Sequence, residues 1–533
     1  MSSRQARSAF CLLLAALLRP GASFSDPAGM QRTGKLTLSA PLDRSLYNAL
    51  FDPGTGFAYF SIAAGTDPGW VIKVDLNGPV PVEVAAIHVQ PGEFNLISGA
   101  IDPEAGFAYF GSLGSPGRVI KIALGPGSAP PVYVGSIPLA AGENNVFGMV
   151  IDASDQDPAQ HYLYVSTGTS PGRVVKVSTG AGNALPSRVG AAVLAAGENS
   201  PRRGVIDPAH GYAYFATLQS FVKIALGAGN APPQRIGAAA LDPTESGIGS
   251  AVIDLVHGYA YLGTYNPTVV PAKVVKLRLG AGNAAPVRLG ALTLGAGERE
   301  LSTGVIDPPG GFAFFGSDHT HPAKIYKVSL GDGDALPTEA GVLQLAPGSL
   351  GTGVYPPDGG NISSADAGLY GELYLQSSVI DLAFGDAYWG TDTVPGQVVK
   401  VSLGDSPPAT DYFTLYPCRL LDTRNPAGPL GGPALAAGAR RTFTLSGVCA
   451  IPADARAVAV NVTVVGPAGS GDLSLYPSDG PASSPATISF GPGQIRANNA
   501  TLPLTFSGSG ALTVRNNSAG AVHLVVDAFG YFR

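Results

Sequence analysis

Apolar and polar positions in this chain are grouped into short stretches, and one order of stretches returns seven times. A first stretch of small residues, such as Ser98-Gly99-Ala100-Ile101, ends at an Asp that is usually followed by Pro and then Gly. A second alternates aromatic and small residues, as in Phe57-Ala58-Tyr59-Phe60. A third carries one Lys among β-branched neighbours, as in Arg118-Val119-Ile120-Lys121-Ile122. The fourth is of the type Val287-Arg288-Leu289-Gly290-Ala291-Leu292-Thr293-Leu294. Period-two alternation predicts strands. Asp, Pro and Gly between them predict hairpins, because these residues supply turn dihedrals and positive φ. Each unit is therefore expected to be four antiparallel strands.

The anchoring acids are Asp52, Asp102, Asp152, Asp207, Asp254, Asp307 and Asp381, and the matching lysines are Lys73, Lys121, Lys176, Lys223, Lys276, Lys327 and Lys400. A period of about 50 residues built from short strands is that of a β-propeller. Small residues in the first stretch suit the strand nearest a crowded axis. The two ends of the array complement each other. After Lys400 no fourth stretch follows, while Arg32-Thr33-Gly34-Lys35-Leu36-Thr37-Leu38 precedes the first anchor and matches Arg288 to Leu294. The expected fold is all-β: a seven-bladed propeller over residues 30–404, closed by its own N-terminal outer strand beside the strand bearing Lys400. Such closure leaves no open sheet edge. The connection 346–378 is longer than its equivalents, and its Gly353-Val354-Tyr355-Pro356-Pro357 echoes the anchor phrase, yet the aromatic and Lys-bearing strands still number seven. Long insertions on regular arrays are places where function can sit. The repeats resemble secreted bacterial propellers with YVTN-like or lactonase-like blades, a likeness of strand pattern and not of any active-site motif.

From Asp411 the period disappears, and short apolar stretches with frequent turn residues run to 533, as in a β-sandwich. Residues 405–410 read as a linker. Pro417-Cys418-Arg419-Leu420-Leu421-Asp422-Thr423-Arg424, Val448-Cys449-Ala450-Ile451-Pro452 and Asp527-Ala528-Phe529-Gly530-Tyr531-Phe532 resemble a C-terminal domain of many secreted bacterial proteins. That resemblance implies secretion and surface display rather than chemistry.

Only 13% of residues are charged and the net charge is −6, which provides no basic stripe for nucleic acid. Arg4 and Arg7 followed by the apolar run Ala9–Leu18 read as a signal peptide over residues 1–25. That run is too short to span a bilayer, and no other stretch qualifies. With Cys11 inside the signal, Cys418 and Cys449 are left as a pair, and an exported protein favours a disulfide between them.

Candidate chemistry is sparse. Gly168-Thr169-Ser170-Pro171-Gly172 matches a nucleophile pattern that needs a strand-to-helix elbow, but it falls between two strands and reads as a turn. Asp318, His319 and His321 are the best local metal candidates, two histidines with a carboxylate nearby and no evident third firm ligand. Glu93, Glu143, Glu198 and Glu298 recur on the connections that emerge around the channel, where carboxylates could bind a cation or polar ligand. His210 and His257 fall at hairpin tips and are expected to be exposed. The repeated Asp is expected to cap its turn, and the repeated Lys to extend its charge off the blade. No acid, base and nucleophile pair up, and no cofactor is implied. The preferred reading is a secreted, monomeric, non-enzymatic protein that uses the propeller to bind a carbohydrate or another protein. The alternative is a secreted hydrolase or lactonase with a metal at the channel mouth.

Overall fold

The computed structural model describes residues 29–532 except 39–44, 63–67, 266–270, 348–370, 383, 394, 405–411, 453–454, 479–485 and 506–509. The signal segment, the linker and most of the 346–378 insertion lie outside the described residues. Seven four-stranded antiparallel sheets form the repeats, each ordered from inner to outer strand. In blade 2, for example, the strands are Leu96–Asp102, Phe107–Ser112, Arg118–Ala123 and Val132–Pro138. The seventh sheet takes its outer strand, Gln31–Thr37, from the start of the chain, and Gly34 pairs with Lys400 and Lys35 with Val399. The expected closure is observed.

Burial follows from the stacking. Second and third strands are buried on both faces, because each blade packs against a neighbour on either side. One apolar cluster lies between each pair of consecutive blades. Between blades 2 and 3 it joins Tyr109 and Val119 to Leu163, Val165 and Val175. Between blades 7 and 1 it joins Leu38 and Tyr388 to Leu46 and Phe60.

The repeated lysines do not reach solvent, contrary to expectation. Lys121 is buried, and its Nζ donates to the carbonyls of Thr179 (2.9 Å), Gly180 (2.8 Å), Gly182 (2.6 Å) and Ala184 (3.0 Å) in a hairpin of blade 3. It also lies 4.2 Å from the centre of the Phe107 ring. Gly180 and Gly182 have φ of 71° and 51°, a left-handed geometry that turns their carbonyls toward one point. Lys176, Lys223 and Lys276 enter equivalent cages on blades 4, 5 and 6. A buried ammonium is tolerated only with such partners. Lys400 is the exception. The facing hairpin of blade 1 offers only Gly78 O at 3.4 Å, and Lys400 pairs with Asp386 at 2.9 Å instead. The anchoring acids do cap their turns, as Asp52 does for Gly54 N (2.9 Å) and Thr55 Oγ1 (2.7 Å).

The remaining two sheets face each other as a sandwich. One contains Tyr412–Asp422, His523–Phe532, Ala457–Val465 and Ile495–Pro503, and the other Arg440–Thr444, Ala511–Asn516, Gly471–Pro477 and Ile488–Phe490. Leu420, Phe443, Val460, Leu475 and Val526 are part of their shared core. Cys418 and Cys449 form the expected disulfide, their Cα atoms 6.0 Å apart.

Candidate functional site at the propeller channel

The recurring glutamates sit on the expected face but point away from the axis. Five stand three residues before the first residue of their inner strand, Glu93, Glu143, Glu245, Glu298 and Glu372, and Glu198 stands three residues before the buried Pro201 that leads into the shorter inner strand of blade 4. Glu143 accepts from Ala140 N (3.0 Å), which closes its own turn, and from Arg188 Nε (2.9 Å) and Nη2 (2.6 Å) on the outer strand of the next blade. Arg235 holds Glu198 in the same way, Arg288 holds Glu245, and Arg32 holds Glu372. Glu93 meets Arg118 and Tyr133, and Glu298 meets Lys324 and Tyr326. Burial raises the Glu143 carboxyl, but hydrogen bonds from Arg188 and the Ala140 amide outweigh it and hold the group below its ordinary range. These carboxylates tie blade to blade and none lines the channel. Glu245 follows Thr244 rather than Gly, and Glu372 ends the long 346–378 connection, so neither is named in the sequence analysis. The three-residue spacing is the better signal.

Gly168–Gly172 is a hairpin between the strands Tyr162–Thr167 and Arg173–Ser178, as its repeat position implied. His210 and His257 are largely exposed and each pairs with its own anchor, Asp207 or Asp254, at 2.8 Å. Asp318 and His319 come together with Glu300, which the sequence did not suggest. His319 Nδ1 lies 2.5 Å from Glu300 and 3.4 Å from Asp318, and these carboxylates push its pKa up to about 10. His321 instead packs edge-on to the Tyr374 ring, and burial beside His319 lowers its pKa to about 4. Among the described residues, no group of three or more His, Cys, Asp or Glu has an arrangement that could hold a metal ion.

The inner strands enclose a polar channel of about 250 Å³, opening at the face of the outer-to-inner connections into a mouth of about 200 Å³. Counting back five residues from each anchoring Asp gives Tyr47, Ile97, Phe147, Arg202, Gly249, Ser302 and Gln376. Counting back four gives Asn48, Ser98, Gly148, Arg203, Ser250, Thr303 and Ser377. Both series line the channel. Among the described lining residues only blade 4 supplies charge, with two adjacent arginines. Arg202 lies 4.7 Å over the Phe147 ring. Arg203 reaches past blade 5 and donates from Nη2 to Ser302 O of blade 6 at 3.2 Å. Among the described residues neither arginine forms an ion pair. Burial, and then the charge of Arg202, push the Arg203 pKa down.

Acidic groups near the mouth are already engaged. Asp318 accepts from Tyr265 OH (2.6 Å) and Gln376 Nε2 (2.7 Å). Burial raises the pKa of Asp392 against hydrogen bonds from Ser45 and Tyr47. Burial also raises the hydroxyls of Tyr47 and Tyr265, so both are neutral donors. Asn48 Nδ2 is buried without a hydrogen-bond partner among the described residues. Arg202 and Arg203 are not singled out in the sequence analysis. Alignment on the Asp anchors exposes them.

No family model matches the chain, and no curated protein matches it. Solved structures similar to it include the RRP9 WD40 repeats, at 9% identity over 70% of this chain and 99% of that one, with a TM-score of 0.47. Sqt1 of Saccharomyces cerevisiae is 9% identical over 69% and 98%, with a TM-score of 0.45. A Bacteroides fragilis protein described as a candidate 6-phosphogluconolactonase is 13% identical over 55% and 82%, with a TM-score of 0.46. The architecture of this chain rests on its own strand pairing and not on these likenesses.

Proposed function

We propose that this chain is an exported, non-enzymatic binding protein that seats a small polar ligand in the mouth of the propeller channel. The observation that carries the reading is the single charged break in sevenfold symmetry, Arg202 and Arg203, placed where the other blades have uncharged residues. A scaffold role recurs from blade to blade, as the Lys cages and Glu ties do in most of them. A ligand site has to break that symmetry. The signal-like N-terminus and the disulfide support export, and the absence of any helix long and apolar enough to cross a membrane among the described residues accords with it. The sandwich then acts as spacer or attachment module. The hydrolase alternative would draw on glutamates that are spent on ties between blades.

Ile97 lines both cavities, so Ile97→Trp narrows the mouth while leaving both arginines in the chain. The purified full chain and this variant should be compared on an array of cell-wall glycans. Binding by the wild type that is lost in Ile97→Trp, at an unchanged melting temperature, is the expected result. Binding that survives the substitution places the ligand elsewhere. Turnover on lactone or glycoside panels by the wild type rejects the binding reading.

A further inference from the structure

We infer that the channel mouth recognises an oxyanion on a hexose-sized ligand, a carboxylate or a sulfate, with Arg203 as its anchor. The inference rests on the channel reading above and adds the chemistry of the ligand. A half-buried guanidinium that lines a channel and has no carboxylate partner is a site at which an external anion can bind by charge-assisted hydrogen bonds. Among the described residues Arg203 is in that position, with one backbone carbonyl as its hydrogen-bond partner and a second arginine beside it. Asp318 forms no ion pair with Arg203, and its Oδ2 is held by Tyr265, Gln376 and His319 instead.

What surrounds Arg203 suits the rest of such a ligand. Its fork of donors matches a planar carboxylate or one face of a sulfate. Asn48 Nδ2 supplies an unspent donor in the same channel. Ser378 and Thr303 bring hydroxyls, and the rings of Tyr47 and Phe147 wall the mouth. Hydroxyls, amides and aromatic faces together are the chemistry that a sugar ring meets. Neither cavity reaches the ~300 Å³ at which pockets begin to take drug-sized molecules, so one ring with its charged group is the fit, not an extended chain.

The test is a calorimetric titration of the full chain with D-glucuronate, D-glucose 6-sulfate and D-glucose, which share a ring and differ at one carbon. Wild-type protein is expected to bind one or both anions at least tenfold more tightly than glucose, and the stronger arm identifies the oxyanion. In Arg203→Gln that preference disappears, with anion affinity falling about tenfold to a hundredfold, as loss of a charge-assisted hydrogen bond implies. Without ligand, the same variant melts at or above the wild-type temperature, because it removes a half-buried charge that has no acidic partner among the described residues. A lower melting temperature there, with anion preference intact, makes Arg203 structural and overturns the inference. So does equal binding of all three sugars that is lost in Ile97→Trp, and in that case the channel reading survives. Absence of binding to all three overturns the inference, and binding unaffected by Ile97→Trp removes the channel reading with it.

Discussion

At the scale of single residues, most of the buried lysines of this propeller are matched by partners contributed from another blade. A lysine alone among apolar neighbours reads from sequence as a side chain that snorkels to water. Its true acceptors, such as Gly182 for Lys121, lie 61 residues further along the chain, beyond the reach of any local pattern. The same holds for His161, which is buried between blades. Its Nδ1 lies 2.6 Å from Asp102 Oδ2 and its Nε2 lies 2.7 Å from the carbonyl of Asp155. Both partners accept, so both ring nitrogens donate and the ring is cationic. Burial lowers its pKa, but the hydrogen bonds to Asp102 and Asp155 outweigh that and leave it above 6.5. A histidine with a raised folded-state pKa stabilises fully below its unfolded pKa, and the contribution fades as pH rises through the folded value. Wild-type stability, measured by urea unfolding, should therefore lose a component above pH 6.5. His161→Gln should cost about 3 kcal/mol or more at pH 6, as loss of one member of a buried charged pair does, and the difference from wild type should shrink as pH climbs. A difference that stays constant between pH 6 and pH 9 would show that the ring is neutral in the fold.

At the scale of elements, the hairpin joining third and outer strands is where the sequence says most about how blades interlock. The phrase Gly180-Ala181-Gly182-Asn183-Ala184 recurs as Gly227 to Ala231 and Gly280 to Ala284. Strand number, order and closure were legible because period-two alternation and turn residues are local signals. The cage was not, since its purpose appears only when the preceding blade's lysine arrives. The two glycines carry different burdens. A Cβ on Gly180 would stand 2.7 Å from Leu185 O and 2.8 Å from Ala184 O, whereas one on Gly182 would meet nothing within 4 Å. Both have positive φ, which alone costs an alanine roughly 1 kcal/mol or more. Gly180→Ala should therefore destabilise clearly more than Gly182→Ala, by about 2 kcal/mol beyond the shared cost, since backbone atoms must move. Equal melting temperatures for the two variants would mean that the hairpin relaxes freely and the lysine cage is not rigid.

At the scale of the whole molecule, seven interfaces of similar composition close a ring in which only one blade is assembled from distant parts of the chain. Ordinary blades form from consecutive hairpins. Blade 7 must wait for Gln31–Thr37 to pair with Gln397–Ser402. That strand also brings Met30 and Leu38 into the clusters flanking blade 7, both nearly fully buried, and Arg32 into its pair with Glu372. Burying two such side chains is worth roughly 3–6 kcal/mol, and the lost strand hydrogen bonds add to it. Removal of residues 1–38 should therefore lower propeller stability by about 5 kcal/mol in urea unfolding. The strand bearing Lys400 would become an open edge, with Val399 and Val401 beside it, and exposed edges recruit other chains. The truncated protein should accordingly self-associate with rising concentration in light scattering, and a synthetic peptide of residues 29–38 should reverse both effects. A truncated chain that stays monomeric and unfolds at the wild-type urea concentration would mean that the six complete blades hold the ring shut without the N-terminal strand.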